Sequence, residues 1–162
     1  MQSRENEHGE IEHRTLIIGY GNPLRGDDGG GWVAAERLEK DLGPARAEVL
    51  ICHQLLPEFA EPISRATRVI FIDAAADDAP GHVRRRTVLP DDTAAHVMMH
   101  EVSPEGLLSM AVNFYGYSPP ADVFTIGGEI WDHCEGLSPK VAAAVDKVVA
   151  DVEHLVEEIG HA

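Results

Sequence analysis

The stretch that decides the reading of this chain is Leu16-Ile17-Ile18-Gly19-Tyr20-Gly21-Asn22-Pro23-Leu24-Arg25-Gly26-Asp27-Asp28-Gly29-Gly30-Gly31-Trp32. From Gly19 onward it holds six glycines, a proline and two adjacent acids, a composition that cannot form a core element. A short apolar run enters it and an amphipathic run leaves it at Trp32, which is the pattern of a first βα unit in an α/β domain. Ligands of such domains bind beyond the carboxyl ends of the strands, so Asp27 and Asp28 are expected at a functional rim.

Arg14 to Tyr20 is apolar on both faces and reads as a central strand. An amphipathic helix follows from about Gly29 to Leu42, stopped by Gly43-Pro44, with Asp27 or Asp28 placed to cap it. Residues 45 to 52 predict a second strand. Leu55 to Ala66 predict a second helix that Pro62 should kink or shorten. Arg68 to Asp73 is the clearest strand and delivers an acid at its end; Val83 to Leu89 is shorter and polar, suiting a sheet edge. Ser103-Pro104-Glu105 has the form of a cap, a first-position proline and a first-turn acid, opening a helix that Gly116 ends. Ala121 to Gly127 predicts a fifth strand. Ser138-Pro139 repeats the capping device before a helical stripe that runs to Gly160.

The chain has 162 residues, and one domain over residues 14–162 is expected, preceded by a polar, disordered tail over residues 1–13. Thirteen Lys and Arg against 28 Asp and Glu give a net charge of −15, which repels nucleic acid and anionic membrane alike. Proteins, metal ions or small molecules are the expected partners. Cys52 and Cys134 are far apart and lack CxxC spacing, which argues against a disulfide framework or zinc ribbon and for a reducing cytoplasm. No run is apolar enough to resemble a membrane span or a signal peptide.

Several chemistries compete for these motifs. Asp27 and Asp28 suit either a carboxylate pair for metal binding and acid–base work or helix capping. Asp73 is either a catalytic acid at a strand end or a turn former. His100, three residues before the Ser103 cap, faces a helix dipole that favours neutral, metal-binding imidazole; a plain loop histidine is the other reading. Asp28, Asp73 and His100 would open onto one rim of a doubly wound sheet, a facial O,O,N set suited to nickel, zinc or manganese. The glycine loop lacks G-x-G-x-x-G spacing and sets two acids where a pyrophosphate would lie, and it has no Gly-Lys-Ser/Thr. Cys52-His53 and His133-Cys134 are adjacent residues that point apart on extended chain, so neither doublet is a nucleophile with its base. There is no G-x-S-x-G elbow.

The pattern Gly19-x-Gly21-Asn22-x-Leu24-x-x-Asp27-Asp28-Gly29-x-Gly31 resembles the amino-terminal signature of the hydrogenase maturation proteases, which trim the large subunit of nickel–iron hydrogenases. Gln54-Leu55-Leu56-Pro57-Glu58, the strand ending at Asp73, His100 before a helix, and Glu135-Gly136-Leu137-Ser138-Pro139 follow in the same order, so the likeness covers about residues 14 to 158. It implies a three-layer α/β/α fold with a twisted, mostly parallel five-stranded sheet and one antiparallel strand. It also implies that Asp28, Asp73 and His100 are the catalytic and metal-contacting residues. The implied activity is removal of a C-terminal extension from a nickel-loaded precursor, with nickel supplied by the substrate. A nickel-binding assembly scaffold and a metal-dependent small-molecule hydrolase are the alternatives. Gly30 departs from the family, which usually has an apolar residue there.

Overall fold

The structure is a computed structural model that describes residues 14–93 and 101–160. The expected tail, residues 1–13, lies outside them, as do His96 and His100. In chain order the elements are β1 (Thr15–Tyr20), α1 (Gly30–Leu42), β2 (Glu48–Cys52), α2 (Ala60–Arg65), β3 (Arg68–Ala75), β4 (Val83–Val88), α3 (Pro104–Tyr115), β5 (Ala121–Gly127) and α4 (Pro139–Gly160). The five strands form one sheet in the order β2-β1-β3-β5-β4, parallel throughout except for β4, which runs antiparallel to β5. The expected three-layer α/β/α architecture is the observed one.

Strand alternation divides the core in two. Ile17, Ile70, Ile72, Phe124 and Ile126 face α1 and α4, packing on Ala34, Leu38, Val141, Val145 and Val148. Leu16, Ile18, Val69, Phe71 and Val123 face α2 and α3, packing on Ile63, Leu107, Leu108 and Ala111. Each large side chain buried this fully contributes about 1.5–3 kcal/mol relative to exposure, so the two apolar faces of the sheet dominate stability. β1, apolar on both faces, is central as the sequence predicts, and β3 lies beside it.

Ser103 caps α3 as expected, its hydroxyl accepting from the Gly106 amide at 3.1 Å, and Gly116 ends the helix in the left-handed conformation. The predicted second helix is shortened: Pro57–Phe59 forms a 3-10 turn and only Ala60–Arg65 is α-helical. Pro62 falls in the first turn of that short helix, where its missing N–H would have had no partner inside the helix. β2 begins at Glu48 because residues 44–46 are taken by a turn. β3 continues two residues past Asp73, to Ala75. Among the described residues no helix is long and apolar enough to cross a membrane.

Candidate active site

The glycine loop closes on itself through short-range bonds. Asn22 Oδ1 accepts from the Leu24 amide at 2.9 Å, and the Asn22 amide donates to Asp28 Oδ2 at 2.8 Å, pinning that side chain over the loop. Gly21 has φ 143°, and a Cβ there would lie 1.9 Å from the Asp28 carbonyl oxygen, so only glycine lets the chain pass. Gly31 is equally constrained by contact: a Cβ would stand 2.3 Å from the Ile72 carbonyl oxygen and 2.6 Å from that of Tyr20. The start of α1 therefore rests directly on the carboxyl ends of β1 and β3.

Asp27 and Asp28 are neighbours with separate jobs, and neither caps α1. Both lie in a 3-10 turn, Gly26–Gly29; the residue preceding α1 is Gly29, and no side chain caps the helix. Asp27 is fully buried and accepts from the amides of Glu129 (2.8 Å), Ile130 (2.9 Å) and Ser138 (2.7 Å) and from the Ser138 hydroxyl (2.9 Å). Burial alone would raise its pKa, but the hydrogen bonds from Ile130, Ser138 and Glu129 outweigh it and hold the carboxyl below its ordinary value. Asp27 is thus a tether between the glycine loop and the segment after β5, and it is unavailable as a ligand. Asp28, half-buried, is the member of the pair left at the rim.

Asp73 stands on β3 on the α3 side of the sheet, where alternation continues Val69 and Phe71. Parallel pairing sets Gly19 against Ile72, so Tyr20 comes beside Asp73, and Asp73 itself pairs with Thr125 of β5. Its Oδ1 accepts from the Ala74 amide at 2.8 Å. Burial raises the Asp73 pKa to about 6; the Ala74 bond and the neighbouring Tyr20 oppose this, while the negative charges of Asp28 and Glu101 add to it. Tyr20 is raised well above its usual value by burial and by the Asp73 charge, and so remains a donor. Arg86 pairs with Glu105 at 2.6 Å on the same side. Two carboxylates, Asp28 and Asp73, thus interact at the carboxyl edge of the sheet, one of them poised near neutrality.

The sequence reading placed Asp28 and Asp73 at one rim, and the structure brings them there; His100 lies outside the described residues, directly before the segment that leads into α3. Among the described residues no three His, Cys, Asp or Glu side chains converge as a metal site. Tyr20 was missed because the end of an apolar strand gives no sign of its neighbour; only the register of β1 on β3 could have found it. Cys52 is half-buried, its thiol pushed up to about 11 by burial, and its sulfur lies 3.9 Å from the Gly19 carbonyl oxygen. His53, in the bend after β2, sets its ring tilted against Trp32 with the ring centres 4.9 Å apart. A cavity of about 290 Å³, lined by Arg14, Thr15, Arg46 and Glu48 among others, lies at the amino-terminal ends of β1 and β2, far from these acids.

These features define a doubly wound α/β domain with an acidic rim at the carboxyl ends of its central strands. Several of the solved structures it resembles are named as hydrogenase maturation proteases. The hydrogenase maturating endopeptidase HybD of E. coli superposes with a TM-score of 0.72 at 25% identity, covering 91% of this chain and 94% of that one. HybD of Thermococcus kodakarensis, a [NiFe] hydrogenase maturation protease, gives 0.66 at 25% identity over 88% and 99%. A hydrogenase 2 maturation peptidase from a Thaumarchaeota archaeon shares the fold at 0.65 and 24% identity. No protein-family model and no curated protein matches the chain.

Proposed function

We propose that this chain is an endopeptidase that removes the C-terminal extension of a nickel-loaded nickel–iron hydrogenase large-subunit precursor. The observation that carries the reading is the placement of Asp73 near the carboxyl end of β3 and of Asp28 in the turn that opens α1, in a fold shared with proteins named as hydrogenase maturation endopeptidases. A carboxyl with a pKa of about 6 exchanges a proton readily near neutral pH, as peptide hydrolysis requires of the group that activates water.

Asp28 and Asp73, joined by His100, meet the nickel carried by the precursor, which serves as the recognition element. Hard carboxylate oxygens and one imidazole are a donor set that nickel accepts. Asp73 is the better-placed base, because burial raises its proton affinity. Neither thiol takes part: the Cys52 sulfhydryl stays protonated, and Cys134 lies on the exposed loop after β5. The two unpaired cysteines and the strong negative charge suit the cytoplasm, with no affinity for nucleic acid or membrane.

The test is incubation with nickel-loaded and nickel-free precursor, followed by mass spectrometry of the precursor C-terminus. Cleavage of the loaded form alone is expected. Binding without cleavage would instead make the chain an assembly scaffold, and equal cleavage of both forms would remove nickel as the recognition element.

A further inference from the structure

We propose that the open edge of β4 is a strand-addition site that takes the C-terminal extension of the precursor in extended form. The choice of occupant rests on the peptidase reading above. The docking edge itself does not.

β4 ends the sheet, and among the described residues no strand lies beyond it. The facing of its backbone follows from bonds at the two ends of β5. The Gly127 amide donates to the His82 carbonyl at 2.9 Å, whereas the Gly128 amide donates to Ala75 and the Pro120 carbonyl accepts from Val69, both on β3. Odd-numbered residues of β5 therefore bond towards β4 and even-numbered ones towards β3. In the antiparallel register this makes Arg84, Arg86 and Val88 the residues bonded to β5, through Thr125, Val123 and Ala121. Val83, Arg85 and Thr87 alternate with them, so their amides and carbonyls point away from the sheet.

A cavity of about 210 Å³ adjoins that edge on the α4 side, lined by Val83, Arg85 and Phe124 of the sheet and by residues of α4 from Lys147 to Glu158. Peptide recognition by strand addition uses this pairing of features: the open backbone gives affinity and the cavity selects among alternate side chains. Charge narrows the occupant further. Arg84, Arg85 and Arg86 bond to Asp78, Asp122 and Glu105 through one nitrogen each, and their side chains remain 46–59% exposed. A guanidinium has five N–H donors, so each keeps capacity for a second acceptor. Three successive arginines repel the same strand of a second copy, whereas in a chain of net charge −15 they are a stretch that an acidic segment can approach.

The edge also lies within reach of the acidic rim. Asp73, Thr125 and Arg84 form one row across β3, β5 and β4. At about 4.8 Å between strands, a segment added outside β4 stands roughly 14 Å from Asp73, a span of about four or five extended residues. The extension can therefore lie along β4 while the bond to be cut, a few residues before it, reaches the acids.

The test uses the full chain, the precursor and synthetic peptides of its C-terminal extension: one unmodified, and two N-methylated at alternate backbone amides in opposite phase. Amide hydrogen exchange is read by NMR with and without peptide. In the free protein Val83, Arg85 and Thr87 should exchange fast and Arg84, Arg86 and Val88 slowly. The unmodified peptide should slow the first group about ten-fold or more, and one N-methylated peptide should bind about ten-fold more weakly than the other, since only one phase faces β4. Equal binding of the two, binding that leaves the outward amides unprotected, or an absence of binding overturns the proposal. Protection of those amides without peptide, in a sedimenting dimer, makes a second copy the occupant and overturns it likewise. If the precursor itself goes uncut, the peptidase reading fails, while exchange at Val83, Arg85 and Thr87 still decides whether β4 takes the segment.

Discussion

Ser138 gives both its amide and its hydroxyl to the carboxylate of Asp27, 111 residues earlier in the chain, at 2.7 and 2.9 Å. With the Glu129 and Ile130 amides this makes four donors around one buried acid. Asp27→Asn would present an NH2 to N–H groups that need an acceptor, and a loss of about 2–4 kcal/mol is expected, read from urea unfolding. The sign of the pH dependence follows from the lowered pKa: the contribution of Asp27 is present above the ordinary carboxyl range and is lost as the pH falls below about 4. An Asp27→Asn protein as stable as its parent would show that the tether is dispensable.

Asp73 should behave in the opposite sense. Its folded pKa of about 6 is above its unfolded value, so the native state binds the proton more tightly, and stability falls as the pH rises between about 4 and 6. Asp73→Asn keeps an acceptor for the Ala74 amide but carries no charge. It should gain about 1–2 kcal/mol at neutral pH, flatten the pH 4–6 slope and abolish processing of the nickel-loaded precursor. Parallel melting curves and cleavage assays across that range would show it; full activity in the variant removes Asp73 from the chemistry.

Asp28→Asn retains an acceptor for the Asn22 amide and so should fold normally. Processing should nevertheless fail, and His100→Ala should fail likewise, whereas His96→Ala should not. Groups that act through one ion are not additive, so a triple variant of Asp28, Asp73 and His100 should be little worse than the worst single one. Mass spectrometry of the precursor after fixed incubation times measures all of these. Normal cleavage by Asp28→Asn would leave that acid a purely structural role.

Adjacent glycines at the start of α1 should respond with opposite signs. A Cβ on Gly30 would meet only Val141 Cγ1 at 3.6 Å and Ile126 Cδ1 at 3.7 Å, ordinary contact distances, so Gly30→Ala should stabilise by about 0.5–1 kcal/mol. Gly31→Ala would drive a methyl into two strand carbonyls and should cost about 3 kcal/mol, displacing α1 from the rim. Thermal unfolding of the two single variants decides the matter; equal effects would mean that α1 is free to shift.

Replacing Cys52 and Cys134 by serine should leave processing intact, with a loss of at most about 1 kcal/mol from the half-buried Cys52. Loss of cleavage in a folded double variant would restore a thiol to the mechanism.

What the sequence made legible was whatever is local in physical origin. The Ser103-Pro104 opening of α3 and its Gly116 end could be read to the residue, because caps and left-handed glycines act over three or four positions. β1 was legible as central through its two apolar faces, and β3 as a strand through its β-branched and aromatic run. The division of labour between Asp27 and Asp28 was not, since it depends on partners 102 to 111 residues away and on a 3-10 turn that sends one carboxyl inward and leaves the next at the rim. That Tyr20 and Asp73 stand side by side was hidden for the same reason, being a property of strand register and not of either strand.

The Asp27 tether also bears on the order in which the protein becomes whole as it is synthesised. β1, the glycine loop and β3 emerge from the ribosome early, but the donors that satisfy Asp27 lie at Glu129, Ile130 and Ser138, in the last part of the chain. Until Ser138 is available, burying that carboxylate leaves it short of partners, so the early βα units stay loose at the edge where Asp28 stands. The rim therefore sets only once the chain has been made as far as Ser138, more than a hundred residues beyond the acid it steadies.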